Sequence, residues 1–150
     1  MIAALPGKGR ADRIAVALGP GSFTGLRVGL AAARALAFAW NAELTGYPTL
    51  ALIAAMARDE RGAQAVTVAT TGGHGEWFVQ HFAADGAANA PLASLTPAEA
   101  AALPGESLFA GSQSEALVGL RGSGEALALL PDARALLLLP ALAFTAEARR

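Results

Sequence analysis

The sequence predicts an α/β domain with packed helices on a mixed sheet, and three observations carry that reading. Short apolar runs rich in Val, Ile and Ala recur along the chain and end in glycine turns, the pattern of strands buried in a sheet. Between them lie Ala- and Leu-rich stretches preceded by helix-start signals. Strands and helices therefore alternate, which favours parallel pairing. One adjacent pair of β-rich runs reads instead as an antiparallel hairpin.

The elements follow in order. Ile14–Leu18 (IAVAL) is a continuous apolar run that stops at Gly19-Pro20-Gly21, so it reads as a strand buried on both faces and then a forced turn. Thr24–Trp40 reads as a helix. Thr24 is the expected N-cap, Phe23 is stapled onto Val28, and Asn41 is a left-handed stop. Leu44–Tyr47 is a short strand, and Thr49 caps a second helix over Leu50–Arg58. Ala65–Ala69 and Glu76–Phe82, joined by the turn Thr71-Gly72-Gly73-His74-Gly75, form the hairpin; Asp85-Gly86 marks the next turn. Thr96-Pro97-Ala98-Glu99 is a capping box with proline at the first helical position, opening a short helix that ends at Pro104-Gly105. Ser107–Ala110 is a strand, and Gly111-Ser112-Gln113-Ser114 turns into a further helix. Ala126–Leu130 is the next strand, and Leu136–Ala148 is apolar and mostly helical, interrupted at Pro140. The glycines of Arg121-Gly122-Ser123-Gly124 punctuate a loop too short to be a linker, so one domain is expected over residues 1–150.

Composition limits the function. Apolar residues make up 54% of the 150 and charged residues 15%, which excludes a disordered chain. A net charge of −1 gives no electrostatic case for binding nucleic acid or a membrane surface by this chain alone. The absence of cysteine excludes disulfides, thiolate nucleophiles and cysteine-ligated metal. The longest apolar stretch, Leu26–Trp40, is broken by Arg27 and Arg34 and is shorter than the ~20 residues of a membrane span. Met1–Pro6 has no basic or extended apolar character, so a cytoplasmic location is expected.

The most informative stretch runs from Gly19 to Gly29 (GPGSFTGLRVG), where a strand hands over to a helix. Ligands often bind at that edge of an open α/β sheet, and helix N-termini favour anions. It is not a P-loop, because Leu26-Arg27 follows Gly25 where Lys and Ser or Thr are needed. It misses the dinucleotide fingerprint by one residue, since Gly19, Gly21 and Gly25 give G-x-G-x-x-x-G. Gly19, Gly21, Ser22, Phe23, Thr24 and Gly25 are thus open to two readings, a ligand loop or a plain turn and cap.

The helix after this loop is apolar almost all round. Gly25, Gly29 and Ala33 form a small-residue stripe, Leu26, Leu30, Ala37 and Trp40 an apolar row, and Arg27, Ala31, Arg34 and Phe38 a further face. Such a helix needs covering on several sides, by its own chain or by a partner. Catalytic chemistry is not visible. His74 and His81 match no metal-binding spacing, and Ser22, Ser112 and Ser123 lie outside any nucleophile motif. Glu76, Glu99 and Asp132 are scattered single carboxylates. No catalytic and no metal-binding residue is assigned.

The string IAVALGPGSFTGLRVGLAAARALAFA (Ile14–Ala39) resembles the signature of the TsaB family, also called YeaZ, the dimerization subunits of the bacterial tRNA threonylcarbamoyladenosine complex. NAELTGYPTLALIAA (Asn41–Ala55) resembles the family's next strand and helix. Gly75-Glu76-Trp77-Phe78 and Leu108-Phe109-Ala110-Gly111-Ser112 resemble later strands, more loosely. The resemblance implies an actin-like ATPase (ribonuclease-H-like) fold without a working active site, incomplete here because the family's first strands have no counterpart in these residues. Thr70-Thr71-Gly72-Gly73-His74 stands where family members tend to carry Asp and Arg. The implied function is a noncatalytic scaffold that binds a TsaD-like catalytic subunit during tRNA N6-threonylcarbamoyladenosine modification. ATP and metal are then expected on that subunit and no cofactor on this chain. A TsaE-like ATPase is a further candidate partner, tRNA is met only within the complex, and a homodimer is an alternative for the free chain. By the same resemblance Arg27, Leu30, Ala31, Arg34 and Phe38 belong to the partner interface. The competing readings are a nucleotide-binding hydrolase or peptidase-like enzyme, and a non-functional fragment.

Overall fold

The computed structural model describes residues 4–105 and 107–146, which divide into two compact units. The first contains the residues up to Pro48 together with those from Leu142 onward. Its β1 (Arg13–Ala17) pairs in parallel with β2 (Glu43–Tyr47), setting Ile14 opposite Leu44 and Val16 opposite Gly46. The connection is α1 (Phe23–Trp40). A side chain on Gly46 would collide with Leu18, so glycine is required for the strands to pack at this point. Ala33 and Ala37 of α1 are buried with Leu44, and Ile14, Val16, Leu18 and Leu30 pack around them. Asn41 adopts φ 53° and its N–H reaches the carbonyls of Ala37 and Phe38, which ends the helix as its sequence predicts.

One expectation for β1 is corrected. It is a strand, but its residues are only half-buried. Side chains alternate along a strand, so Ile14, Val16 and Leu18 face α1 while Arg13, Ala15 and Ala17 face away from it. A continuous apolar run does not by itself say that both faces are covered. The outer edge of β2 is closed by the chain's own later residues: Gly46 and Thr145 exchange two N–H···O bonds of 2.8 Å. Phe144 stands edge-on to Tyr47 at 6.3 Å, and burial pushes the Tyr47 phenol above its ordinary value.

The second unit, Thr49–Ala141, holds a five-stranded sheet. Its strands are β3 (Val66–Thr71), β4 (Trp77–Phe82), β5 (Ala93–Leu95), β6 (Leu108–Ala110) and β7 (Glu125–Leu127), in the spatial order β5-β4-β3-β6-β7. The predicted hairpin is the antiparallel pair β3–β4, while β6 and β7 continue the sheet in parallel with β3. The sheet is therefore mixed, as expected. Helix α2 (Thr49–Arg61) covers one face: Leu50, Ile53, Ala54 and Ala57 meet Val66, Val68, Phe82, Leu108, Ala110 and Leu127. Helices α3 (Pro97–Ala102) and α4 (Ser114–Arg121) belong to the other, where Ala100 and Leu117 join Ala69, Trp77, Val79 and Phe109. The period-two alternation of strands is visible in β6, where Leu108 and Ala110 point to one cluster and Phe109 to the other.

Three expectations change. Helix α2 runs on to Arg61, whose Nε lies 2.6 Å from Glu125 of β7, and stops at Gly62 with φ 84°. The strand expected over Ala126–Leu130 is shorter, because the N–H of Leu129 turns back to the carbonyl of Leu127. The helix expected over Leu136–Ala148 is replaced by 3₁₀ turns at Ala133–Leu138 and Ala141–Ala143. Pro140 between them has no N–H to continue a helix, and Asp132 caps the first turn by accepting from the Arg134 N–H. Residues 147–148 of that stretch lie outside the described residues.

The capping box of α3 forms as read. Thr96 Oγ1 accepts from the Glu99 N–H, and Glu99 accepts from the Thr96 N–H at 2.8 Å and from its hydroxyl at 2.7 Å. The backbone bond first, then the hydroxyl bond, hold the Glu99 carboxyl below its ordinary value. A depressed folded-state pKa means a contribution to stability that is full above the unfolded value and is lost as pH falls through the folded one. Glu99→Gln should therefore flatten the acid limb of the stability-against-pH curve, measured by denaturant unfolding from neutral to strongly acid pH. An acid limb identical in both proteins would contradict the capping role.

Candidate functional site: the glycine turn and the outer face of the first helix

After β1 the chain turns at Gly19, which is buried with φ 98°, and a cis peptide bond precedes Pro20. The left-handed conformation falls on Gly19 and not on Gly21. Ser22, not Thr24, is the N-cap: its Oγ accepts from the Gly25 N–H at 3.3 Å, and its carbonyl accepts from the Leu26 N–H at 2.9 Å. Thr24 lies inside the first turn. Ser and Thr are both good caps, and residue type alone does not choose between two of them so close together. Ser22→Ala should cost about 1 kcal/mol and Thr24→Ala much less, as read by chemical unfolding. Equal losses would contradict the assignment.

The expected staple between Phe23 and Val28 is also absent. Phe23 is the first helical residue and 67% exposed, and Val28 is 64% exposed. The Phe23 ring instead lies under the Arg27 guanidinium, 3.8 Å from its centroid, one helical turn on. In this geometry Gly19, Gly21, Ser22, Phe23, Thr24 and Gly25 form a tight turn and a helix cap.

The face of α1 away from the strands is apolar and open. Arg27, Ala31, Arg34 and Phe38 are exposed together, and Phe38 is 92% exposed. Leu30 departs from that group by packing inward with Ile14, Val16 and Leu18. The small stripe is divided as well: Ala33 is buried, while a Cβ on Gly29 would meet nothing within 4 Å. A shallow groove at the C-terminal end of α1 is lined by Arg34, Ala37, Phe38 and residues Asn41 to Leu44. Phe23 and Val28 extend the exposed apolar surface. Sequence reasoning missed them because it used them to staple the helix entrance.

The polar residues singled out in the sequence have local roles. His81 Nδ1 lies 2.7 Å from Thr67 Oγ1, a pair in which Thr67 is buried in the sheet and His81 is half-buried. His74 occupies a left-handed position in the β3–β4 turn. Glu76 accepts from Ser94 at 2.5 Å, and Asp132 pairs with Arg134 at 2.6 Å. Ser112 Oγ accepts from the Thr71 N–H, and Gln113 donates to the Thr71 hydroxyl at 2.8 Å. Among the described residues no group of three or more His, Asp and Glu side chains could hold a metal ion. No helix among them is long and apolar enough to cross a membrane.

The mixed strands, the helices on the faces of the sheets and the glycine turn opening α1 are consistent with an actin-like ATPase fold of the ribonuclease-H-like kind, the fold to which the family match and the similar solved structures point. The family described as TsaD, tRNA N6-adenosine threonylcarbamoyltransferase, matches residues 7–114, and the chain belongs to it. Solved structures similar to the chain include two from Pseudomonas aeruginosa. YeaZ from Pseudomonas aeruginosa is 30% identical with a TM-score of 0.72, covering 86% of this chain and 64% of that one. A structure described as an uncharacterized protein with similarity to peptidase YeaZ, from Pseudomonas aeruginosa, is 29% identical with a TM-score of 0.70 and the same coverage. No curated protein matches the chain. The chain thus spans less than two thirds of the length of these two structures. They agree with the TsaB (YeaZ) resemblance carried by GPGSFTGLR, and they set the chain in a family of tRNA threonylcarbamoyladenosine biosynthesis.

Proposed function

We propose that this chain is a noncatalytic partner subunit that binds a TsaD-like catalytic subunit in tRNA N6-threonylcarbamoyladenosine modification. The observation that carries the reading is the outer face of α1. An aromatic ring 92% exposed, with Phe23, Val28 and a row of alanines and glycines beside it, has no cover among the described residues of its own unit. A contiguous exposed apolar face of this kind marks an interaction surface. The small residues let a partner helix approach closely, and the Arg27 and Arg34 stems add apolar contact while their heads reach water or charged groups. ATP and metal then reside on the catalytic subunit, and a TsaE-like ATPase joins the same assembly. This chain meets tRNA only within it, in the cytoplasm. The local roles of His81, Glu99 and Asp132 support a subunit without its own chemistry.

Reconstitution tests this. The catalytic subunit should modify tRNA faster with this chain present than without it, and the chain alone should show neither transfer nor peptidase activity. Turnover by the purified chain, abolished by one substitution in it, would replace this reading with that of an enzyme.

A further inference from the structure

Arg58 stands apart from the other arginines of the second unit. Arg61 bonds Glu125, Arg121 bonds the carbonyls of Ala101 and Leu103, and Arg134 pairs with Asp132. Arg58, in the last turn of α2, has no hydrogen-bond or ion-pair partner among the described residues, although it is half-buried and its Nε is fully buried. Its guanidinium is held against Gly86 in the turn after β4, where a Cβ would collide with it. Burying a guanidinium N–H without an acceptor is unfavourable, and a long side chain at a helix end has the freedom to swing into water instead. Keeping it in place fixes a cation beside an open notch of about 190 Å³, lined by Arg58, Asp59, Ala55, Ala63 and Leu138.

We infer that this notch binds a small aliphatic α-amino acid as its zwitterion. The lining is chemically divided. Arg58 supplies a planar fork of N–H donors, which suits a carboxylate. Asp59 supplies the opposite charge, and the C-terminal end of α2 adds to it through its negative partial charge. A ligand carrying anionic charge alone, a phosphate above all, meets repulsion from both. An ammonium group on the same ligand turns that repulsion into attraction. Ala55, Ala63 and Leu138 bring apolar side chains to the rest of the molecule. The volume is roughly the share of six waters, which suits an amino acid of valine's size better than an aromatic one. Every residue of the notch belongs to the second unit and none to α1, so the inference does not rest on the subunit role proposed above.

Titration of the isotope-labelled full chain with L-valine, followed by backbone amide NMR shifts, tests this. Saturable shifts in the last two turns of α2 and in the turn around Gly86 are expected, with a Kd on the order of 1 mM or tighter. Isovalerate, which lacks the ammonium, and valinamide, which lacks the carboxylate, should each bind at least about tenfold more weakly. Arg58→Gln should weaken valine binding at least about tenfold, and Asp59→Asn about fivefold. Circular dichroism identifies a variant that fails to fold, and Asp59, being exposed, then decides. The inference is overturned by the absence of saturable shifts, by valine binding that ignores the substitutions, or by isovalerate or inorganic phosphate binding as tightly as valine.

Discussion

Phe109→Ala should destabilise the second unit by about 3–5 kcal/mol, the range for removing a fully buried aromatic ring. Phe109 lies in β6 with 2% of its surface exposed, among Ala69, Trp77, Val79, Ala100 and Leu117. The hole left by its ring has little freedom to collapse. The Arg121 guanidinium, 5.0 Å from the ring centroid, is pinned by bonds to the carbonyls of Ala101 and Leu103 at 3.1 and 2.6 Å. These bonds tie α4 to the last turn and exit of α3, and the ring supports the arginine from the sheet side. The loss should appear in urea unfolding followed by tryptophan fluorescence, since Trp77 sits in the same cluster. A loss below about 1 kcal/mol would place Phe109 outside the core that holds α3 and α4 to the sheet.

Phe38→Ala should behave in the opposite way. The ring is 92% exposed and has almost no burial within the chain to lose, so the melting temperature should stay where it is. On the reading proposed here its burial occurs on binding. As the aromatic anchor of an otherwise small and aliphatic face, it should then account for about 2 kcal/mol of affinity for the catalytic subunit. Had α1 been an internal helix, as its apolar sequence equally allowed, the substitution would have removed stability instead of affinity.

That ambiguity shows where the sequence was legible. Several signals that are local in origin were read correctly, the cap and staple at the start of α1 excepted. The Thr96–Glu99 capping box, the hairpin around Thr71–Gly75 and the Asn41 stop each depend on residues within one turn of each other. The alternation of strand and helix placed the elements of both units. What escaped depended on distant neighbours. IAVAL looks the same whether one or both of its faces are covered, and the structure covers the side of Ile14, Val16 and Leu18. Strand β5 has only three residues, too few for a pattern, and is held by its pairing to β4 and the Ser94–Glu76 bond. The stretch from Leu136 has helical composition, but Thr145 within it is drawn instead into a bridge with Gly46.

The candidate site divides along the same line. GPGSFTGLR announced a turn and a helix start, and the family that the comparisons show agrees with that string. Which hydroxyl capped the helix was decided by backbone conformation, with Ser22 at φ −56° and ψ 122°. The outward group Arg27, Ala31, Arg34 and Phe38 followed from helical periodicity, since these positions fall on one face whatever lies beneath. Leu30 stands one residue off that face, and the same periodicity turned it toward the strands. With Ser22 as the cap, Phe23 is the first helical residue and is exposed, as is Val28.

The measurement that bears most directly on the proposed role is calorimetric titration of the TsaD-like catalytic subunit into this chain and into its Phe38→Ala variant, with both melting temperatures recorded. The account predicts saturable binding by the unsubstituted chain, weakened about 30-fold by Phe38→Ala, at an unchanged melting temperature. No binding by the unsubstituted chain, or equal affinity for both proteins, would contradict it.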